Sequence, residues 1–188
     1  MAPPRADDRL GRSNGSPRRP EDDGAPPLPS RAANVVVRIA AVVRIAAETF
    51  ALACPPHTSP LAVEAHLRSE LSPDRFRRHR ADERSTLLVA DLDGERVGYA
   101  LMRDCDADEL PGVGELRQLY VLPQFHLRGV GRALMATVVS TASKRGWDRI
   151  RLTVSRENGR AVAFYRTSGF DVVGSEVHED FVMAMDIE

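Results

Sequence analysis

The 188-residue sequence predicts an α/β (α+β) domain with a mixed, mostly antiparallel sheet that encloses one parallel strand pair. Three observations point there. TLLVADLDGERVGYALM holds two alternating apolar runs around Asp93-Gly94, a hairpin signal. Glu115 to Val121, an apolar-faced helix from about Gly129, and Ile150 to Val154 read as strand, helix, strand, which implies a right-handed crossover between parallel strands. Two further strands near Phe170 to Val177 and Phe181 to Ile187 then add to the same sheet.

Composition bounds the chain to one globular unit plus an appendage, and 43% hydrophobic residues are enough for a sizeable core. A formal charge of −1, with 28% charged residues of both signs and no basic stripe interleaved with aromatics, argues against a nucleic-acid surface. The most apolar run, Val35 to Ala47, is broken by Arg38 and Arg44, too short and too charged to span a membrane. Cys54 and Cys105 stand far apart without a CxxC pair or a histidine at ligand spacing, so neither a disulfide framework nor a metal site is expected. No signal-peptide segment opens the chain, and a reducing cytoplasm is the expected setting.

Residues 1–34 hold 7 of the 13 prolines and no apolar periodicity, and are read as a disordered leader ahead of a folded domain over 35–188. VVRIAA is written twice, Val36 to Ala41 and Val42 to Ala47. The first copy reads as a strand before a helix through Glu48, Phe50 and Leu52, or both copies read as one helix. Ser59 is a candidate N-cap with Pro60 at the first helical position, and Ser72-Pro73 opens a basic helical segment through Arg80. The hairpin comes next, then the charged loop DCDADELPGVG and the strand from Glu115. The helix after that strand carries Val130, Leu134, Val138 and Ala142 on one face and ends at Lys144-Arg145-Gly146. After Ile150 to Val154, Asn158 to Ser168 reads as a helix stopped by Gly169.

Gly129 and Gly131 stand where the helix after Val121 begins, although glycine is a poor helix former. A helix N-terminus exposes unpaired N–H groups and the positive end of the dipole, and a missing Cβ lets a bulky phosphate approach them. Each charge-assisted hydrogen bond there contributes roughly 1.5–3 kcal/mol, against ~1 kcal/mol for a helix-interior glycine. Arg128 and Arg132 add positive charge beside the same turn. A Walker loop needs a lysine after Gly131, and a dinucleotide fingerprint needs a third glycine where Leu134 stands, so both fit poorly. A tight turn with no ligand is the plain alternative.

HLRGVG, preceded by LYVLP, resembles the [Q/R]-x-x-G-x-[G/A] acetyl-coenzyme A motif of the GCN5-related N-acetyltransferases. TVSRENGRAVAFYRTSGFDVVG resembles the second motif of that family, with Asn158 opening the helix, Tyr165 seven residues on and Ser168-Gly169-Phe170 closing it. The resemblance covers about Val35 to Glu188. It implies a six- to seven-stranded sheet whose central parallel pair, here Glu115 to Val121 and Ile150 to Val154, is splayed, with helices flanking it. It implies acetyl-coenzyme A as cosubstrate, held at the diphosphate by the amides of Leu127, Arg128, Gly129, Val130, Gly131 and Arg132. Backbone of Leu119, Tyr120 and Val121 would pair with the pantetheine arm as an added strand does, and Asn158 would meet the same arm. The activity implied is transfer of an acetyl group to a primary amine by direct attack in a ternary complex. The acceptor would be a small amine, a polyamine or a protein amino group, and ETFALACPP is similar to prokaryotic members that acetylate polyamines and small amines. A homodimer is left open. Two departures stand out. His126 occupies the usual Gln or Arg position, and the duplicated hexamer stands where the family's first strand, turn and helix occur, so that corner is expected to be shortened or refolded.

An alkylamine starts protonated near pKa ~10.4 and the leaving thiolate has a parent pKa of ~8.5, so the implied chemistry calls for a base and an acid. Tyr165 is the candidate acid, since Asn158, Ala161 and Tyr165 at i, i+3 and i+7 share one helix face; a core tyrosine beside Phe164 is the alternative. Glu115 is the candidate base, acting through a water, at the acidic position many family members use. Strand alternation places it on one face with Arg117, Leu119 and Val121, and a solvated or Arg117-paired carboxylate is the alternative. His57, His66, His79 and His178 are scattered and read as surface or helix-face residues. Cys105 lies in an acidic loop that raises a thiol's pKa, which disfavours a nucleophile. The four acidic residues of Asp104 to Glu109 are either solvated or a lure for a cationic acceptor. A catalytically inactive acyl-coenzyme A binding module is the rival reading.

Overall fold

A computed structural model describes residues 39–55, 57–175 and 180–188. Three helices come first: α1 (Ile39–Ala53), α2 (Pro60–Ser69) and α3 (Pro73–Ala81). Strands β1 (Ser85–Leu92), β2 (Glu95–Asp104) and β3 (Val113–Val121) come after them, then α4 (Val130–Lys144), β4 (Arg149–Val154), α5 (Gly159–Thr167), β5 (Asp171–Ser175) and β6 (Phe181–Asp186). The six strands form one sheet in the order β1-β2-β3-β4-β6-β5, antiparallel except for β3 beside β4. This is the mixed sheet the sequence predicts, with its parallel pair joined through α4. The leader 1–34, residues 36–38 of the first hexamer and His178 lie outside the described residues.

Local chemistry accounts for the element ends. Asp93 (φ 54°) and Gly94 (φ 83°) make the two-residue turn of the β1–β2 hairpin, and Gly94 N donates to Asp91 Oδ1 at 2.9 Å. Ser59 and Ser72 cap α2 and α3, accepting from Ala62 N at 3.2 Å and Arg75 N at 3.3 Å. From Ile39 onward the duplicated segment is a single helix, so a strand over Ile39 to Ala41 is excluded. The reason is spacing: Val42, Ile45, Ala46 and Thr49 form a buried stripe of helical period, which a strand would split between two faces.

The sheet has a core on each face. Val130, Leu134 and Val138 of α4 pack on Ile150, Leu152 and Met183. On the other face, Val42 and Ile45 of α1 and Phe76 of α3 pack on Tyr99 and Leu122, with Phe76 edge-on to Tyr99 at 5.6 Å between centroids.

Two irregularities in β3 open the sheet at one end and set which side chains face the opening. The strand pairs with β4 only over Val113, Gly114 and Glu115, opposite Arg149, Ile150 and Arg151. Beyond Glu115, β3 stays on β2 and β4 stays on β6, so a gap opens between them. The second irregularity is a bulge: Leu101 pairs with Gln118 and Met102 with Leu116, leaving Arg117 as the extra residue. The expected strict alternation of Glu115, Arg117, Leu119 and Val121 on one face therefore fails. Leu116, Leu119 and Val121 pack toward α4, whereas Gln118 and Tyr120 join the α1 side. Glu115, next to Leu116, lies on that second side too.

Candidate active site

The turn leading into α4 holds the first group of predicted residues. Among the described residues, the amides of Leu127, Arg128, Gly129, Val130, Gly131 and Arg132 donate no hydrogen bond, and the ladder begins with Ala133 N to Gly129 O at 3.0 Å. Gly129 is the N-cap at φ 82°, a left-handed conformation open to glycine, and a Cβ there would meet nothing within 4 Å. Leu127 adopts φ 60° without being glycine and its side chain is fully exposed, a strained turn held at the mouth of the gap. Val130 anchors the turn, buried in the α4 core. The Arg128 guanidinium lies 5.4 Å over the Phe125 ring.

Phase along β3 separates the three residues predicted to meet a pantetheine arm. Leu122 N donates to Val97 O at 2.8 Å, which turns the amide and carbonyl of Tyr120 toward β2 and those of Leu119 and Val121 toward the gap. Tyr120 is thus misplaced as a backbone partner; its side chain packs on the α1 side of the sheet. Val121 O already accepts from His126 Nε2 at 2.8 Å, and His126 Nδ1 accepts from Arg160 Nη1 at 2.9 Å. These partners assign the neutral Nε2–H tautomer. His126, singled out in the sequence only as a departure, therefore ties the end of β3 to α5. Arg160 was missed, because nothing in its local pattern shows that α5 comes to lie against the turn.

Asn158 caps α5, its Oδ1 accepting from Ala161 N at 3.1 Å. Tyr165, two turns on, packs against Phe164 and Phe170 at 5.5 and 5.7 Å between centroids. Its hydroxyl has no hydrogen-bond partner among the described residues. Burial pushes its pKa well up, and Tyr120 nearby adds to the shift. Tyr120 itself is pushed up to about 12, by burial first and then by Cys54. A cleft of about 470 Å³ adjoins this group, between the end of α1 (Leu52 to Pro55), His126 and the first turn of α5. His57 Nδ1 lies 3.8 Å from Glu157 Oε2, and Glu157 lines the same cleft.

Glu115 sits where the gap begins, its Oε2 3.9 Å from Arg117 Nε, with Arg103 and Arg151 as its ladder neighbours. Cys105 has its thiol pKa raised, chiefly by burial and secondarily by Glu115, so the acidic loop is not the main cause. Asp104 is bound in the fold: its carboxylate accepts from Arg145 Nε and Nη2 at 3.0 and 2.7 Å and from Trp147 Nε1 at 2.9 Å. A second cavity, of about 590 Å³, lies at this end of the sheet, away from the α4 turn. Among the described residues, no group of three or more His, Cys, Asp or Glu is placed to hold a metal ion, and no helix is long and apolar enough to cross a membrane.

The chain that builds this split parallel pair and turn is similar to known proteins. Residues 46–170 match the acetyltransferase (GNAT) family. The chain belongs to this family. An uncharacterized N-acetyltransferase of Mycobacterium tuberculosis is 39% identical over 151 residues, spanning 76% of this chain and 94% of that one. A mycothiol acetyltransferase of Beutenbergia cavernae is 43% identical over 95 residues, but these are 50% of this chain and 30% of that protein. In fold, the chain resembles the PaiA N-acetyltransferase from Thermoplasma acidophilum, whose structure is a complex with coenzyme A. The TM-score is 0.71 at 21% identity, covering 79% of this chain and 92% of that one. As a GNAT family protein it is an acyltransferase.

Proposed function

We propose that this protein transfers the acetyl group of acetyl-coenzyme A to a primary amine by direct attack in a ternary complex. The observation that carries the reading is the coincidence, at one end of the sheet, of the unpartnered amides of 127–132 and the gap between β3 and β4. The residues present fit the cosubstrate: the space beside Gly129 is empty of protein, and the amide and carbonyl of Leu119 face the gap. When bound, acetyl-coenzyme A supplies an activated thioester carbonyl.

The chain's own groups then divide the work. The amides of Leu127 to Arg132, with Arg128 and Arg132, bind the diphosphate at the positive end of α4. Leu119 orients the pantetheine arm by backbone hydrogen bonds. Asn158 uses its oxygen on the cap and keeps its amide NH₂ for the same arm. The Tyr165 phenol is protonated at neutral pH, and burial raises its pKa further. Its raised pKa makes complete proton loss to a thiolate unfavourable, so it acts as a hydrogen-bond donor to the charge that develops on sulfur. Glu115 accepts the amine proton through a water.

Purified protein incubated with acetyl-coenzyme A and a panel of primary amines tests the reading. Thiol release matched by N-acetylated product is expected. Tight cofactor binding without thiol release on any amine supports the inactive module instead, and displacement of acetyl-coenzyme A by ATP or NAD at comparable concentration removes the assignment of the diphosphate site.

A further inference from the structure

The face of the sheet opposite α4 carries an unusual charge arrangement at the point where the strands part. Glu115 has Arg103 of β2 and Arg151 of β4 directly beside it in register, so all three side chains leave the sheet on one face. Arg117, the residue added by the bulge, lies further along on the same strand, its Nε 3.9 Å from Glu115. Three arginines thus stand beside one carboxylate on this part of the sheet, with Arg117 at ion-pair distance from it. Across from them, α3 contributes Arg75 and His79. His79 is only 7% exposed, and its pKa is lowered first by burial and then by Arg75, Arg117 and Arg103, which marks the local field as positive.

Arg103 and Arg117 keep N–H groups that no hydrogen bond among the described residues uses. Arg103 Nε is 3.5 Å from Asp82 Oδ2 without making a hydrogen bond, and it is buried with no hydrogen-bond partner among the described residues. Asp82 directs its oxygens elsewhere, accepting from Arg84 N at 3.0 Å and Ser85 Oγ at 2.9 Å. Arg117 likewise donates no hydrogen bond among the described residues; its contact with Glu115 is an ion pair at 3.9 Å. Guanidinium forks with unused N–H groups in a half-buried setting match the planar oxygens of a carboxylate or the oxygens of a phosphate. A polyamine, in contrast, would bring further positive charge to a face already rich in it, at a cost that low local dielectric enlarges.

We infer that the acceptor is an amine that also bears an anionic group, held by Arg103 and Arg117 on the sheet face where β3 and β4 part. This rests on the transferase reading and narrows it, setting aside the polyamine class that ETFALACPP suggested. Arg117 stands two residues from Leu119, about 7 Å along the strand, so an anion on its fork leaves the amine of a compact substrate within reach of the gap. Arg103 and Arg117 are specificity residues here and take no part in proton transfer.

The test compares matched acceptors on the full-length protein. ω-Amino acids are set against their carboxamides, aminoalkyl phosphates against the corresponding amino alcohols, and linear polyamines form a third arm. At least one anionic series is expected to exceed its neutral twin by tenfold or more in kcat/KM, and which series does so tells carboxylate from phosphate. Arg117→Gln should cut the ratio of kcat/KM between the anionic acceptor and its neutral twin by about tenfold or more, a change common to both twins reporting instead on the paired Glu115, and Arg117→Lys should recover part of that ratio. Polyamines or neutral amines turning over as well as the anionic ones would overturn this inference and leave the transferase reading intact. An equal loss on both twins in Arg117→Gln would also overturn it. Thiol release with no amine at all would remove the transferase reading and this inference together.

Discussion

The two ends of the β3–β4 pair are built on opposite terms. At the paired end, Asp104 accepts from Arg145 and Trp147, and Arg145 reaches on to Glu83 O and Thr86 Oγ1 at 2.9 and 3.2 Å. The backbone there is pressed against side chains: a Cβ on Gly114 would lie 2.0 Å from the Trp147 ring. At the split end, the amides of 127–132 have no partner among the described residues, Leu127 holds a strained φ, and a Cβ on Gly129 would touch nothing within 4 Å. Glycine at the first end is explained by lack of space inside the protein. At the second, packing supplies no explanation, whereas the proposed diphosphate site does, since an anion there would meet the free donors of a strained helix N-terminus.

The sharpest way to break that contrast is to fill the empty end. Gly129→Leu places a side chain where the protein has none and forces a left-handed φ on it, so a cost of about 1–2 kcal/mol in stability is expected. The larger effect is on ligand: acetyl-coenzyme A affinity should fall by about a hundredfold or more, corresponding to the loss of roughly one or two charge-assisted hydrogen bonds. Calorimetric titration of the folded variant measures this, and unchanged affinity would mean that the unpartnered amides serve no anion. Tyr165→Phe should come next. Turnover is expected to fall about 10- to 100-fold with cofactor affinity nearly unchanged, because a donor to developing charge acts on kcat. Rates equal to the parent across the pH range would make Tyr165 a packing residue of the Phe164–Phe170 cluster.

Much of this contrast was legible in sequence, and unevenly so. The hairpin, the caps at Ser59 and Ser72 and the helix after Gly129 are local signals, written in residues that touch each other, and each appears where the pattern puts it. The GNAT fold was legible in two motifs for the same reason. What sequence withheld depends on register and on distant contact. The bulge at Arg117 moves Glu115 to the face opposite Leu119, and no periodicity of β3 alone reveals it, because its cause lies in the pairing with β2. His126 could be seen as unusual, but its bonds to Val121 O and Arg160 join residues five and 34 positions away. The duplicated hexamer was ambiguous because apolar residues in pairs satisfy both periods; the helix wins from Ile39 because its stripe packs on a sheet face contributed by distant residues such as Tyr99 and Leu122.

At the paired end the expected effects concern stability alone. Asp104→Asn should destabilise by about 1–3 kcal/mol, leaving Arg145 and Trp147 with a weaker acceptor, and should leave cofactor affinity unchanged. Acid unfolding reads the same bond. Hydrogen bonds from Arg145, and to a lesser degree from Trp147, hold the folded Asp104 pKa below its ordinary value against the opposing effect of burial. The folded state therefore binds its proton less readily than the unfolded chain. The stabilisation is complete above the unfolded value of about 3.9 and is lost as pH falls through the folded pKa. Denaturant titrations from pH 6 down to 2 should show the parent losing stability in that window more steeply than Asp104→Asn. Parallel slopes would mean that Asp104 is not what keeps this end closed.

The smallest expected effect separates the two glycines of the turn. A Cβ on Gly131 would sit 3.4 Å from Phe164 Cε2, an ordinary van der Waals contact, so Gly131→Ala requires no rearrangement of α5. Gly131 already lies inside α4, where alanine is favoured over glycine by up to ~1 kcal/mol, so unchanged or slightly raised stability is expected. Affinity for acetyl-coenzyme A should drop less than about threefold, since the methyl faces α5 and leaves the amides of 127–132 exposed. A loss as large as that in Gly129→Leu would place the diphosphate between Gly131 and Phe164, and the binding turn would then be closed by α5 and not by the left-handed cap at Gly129.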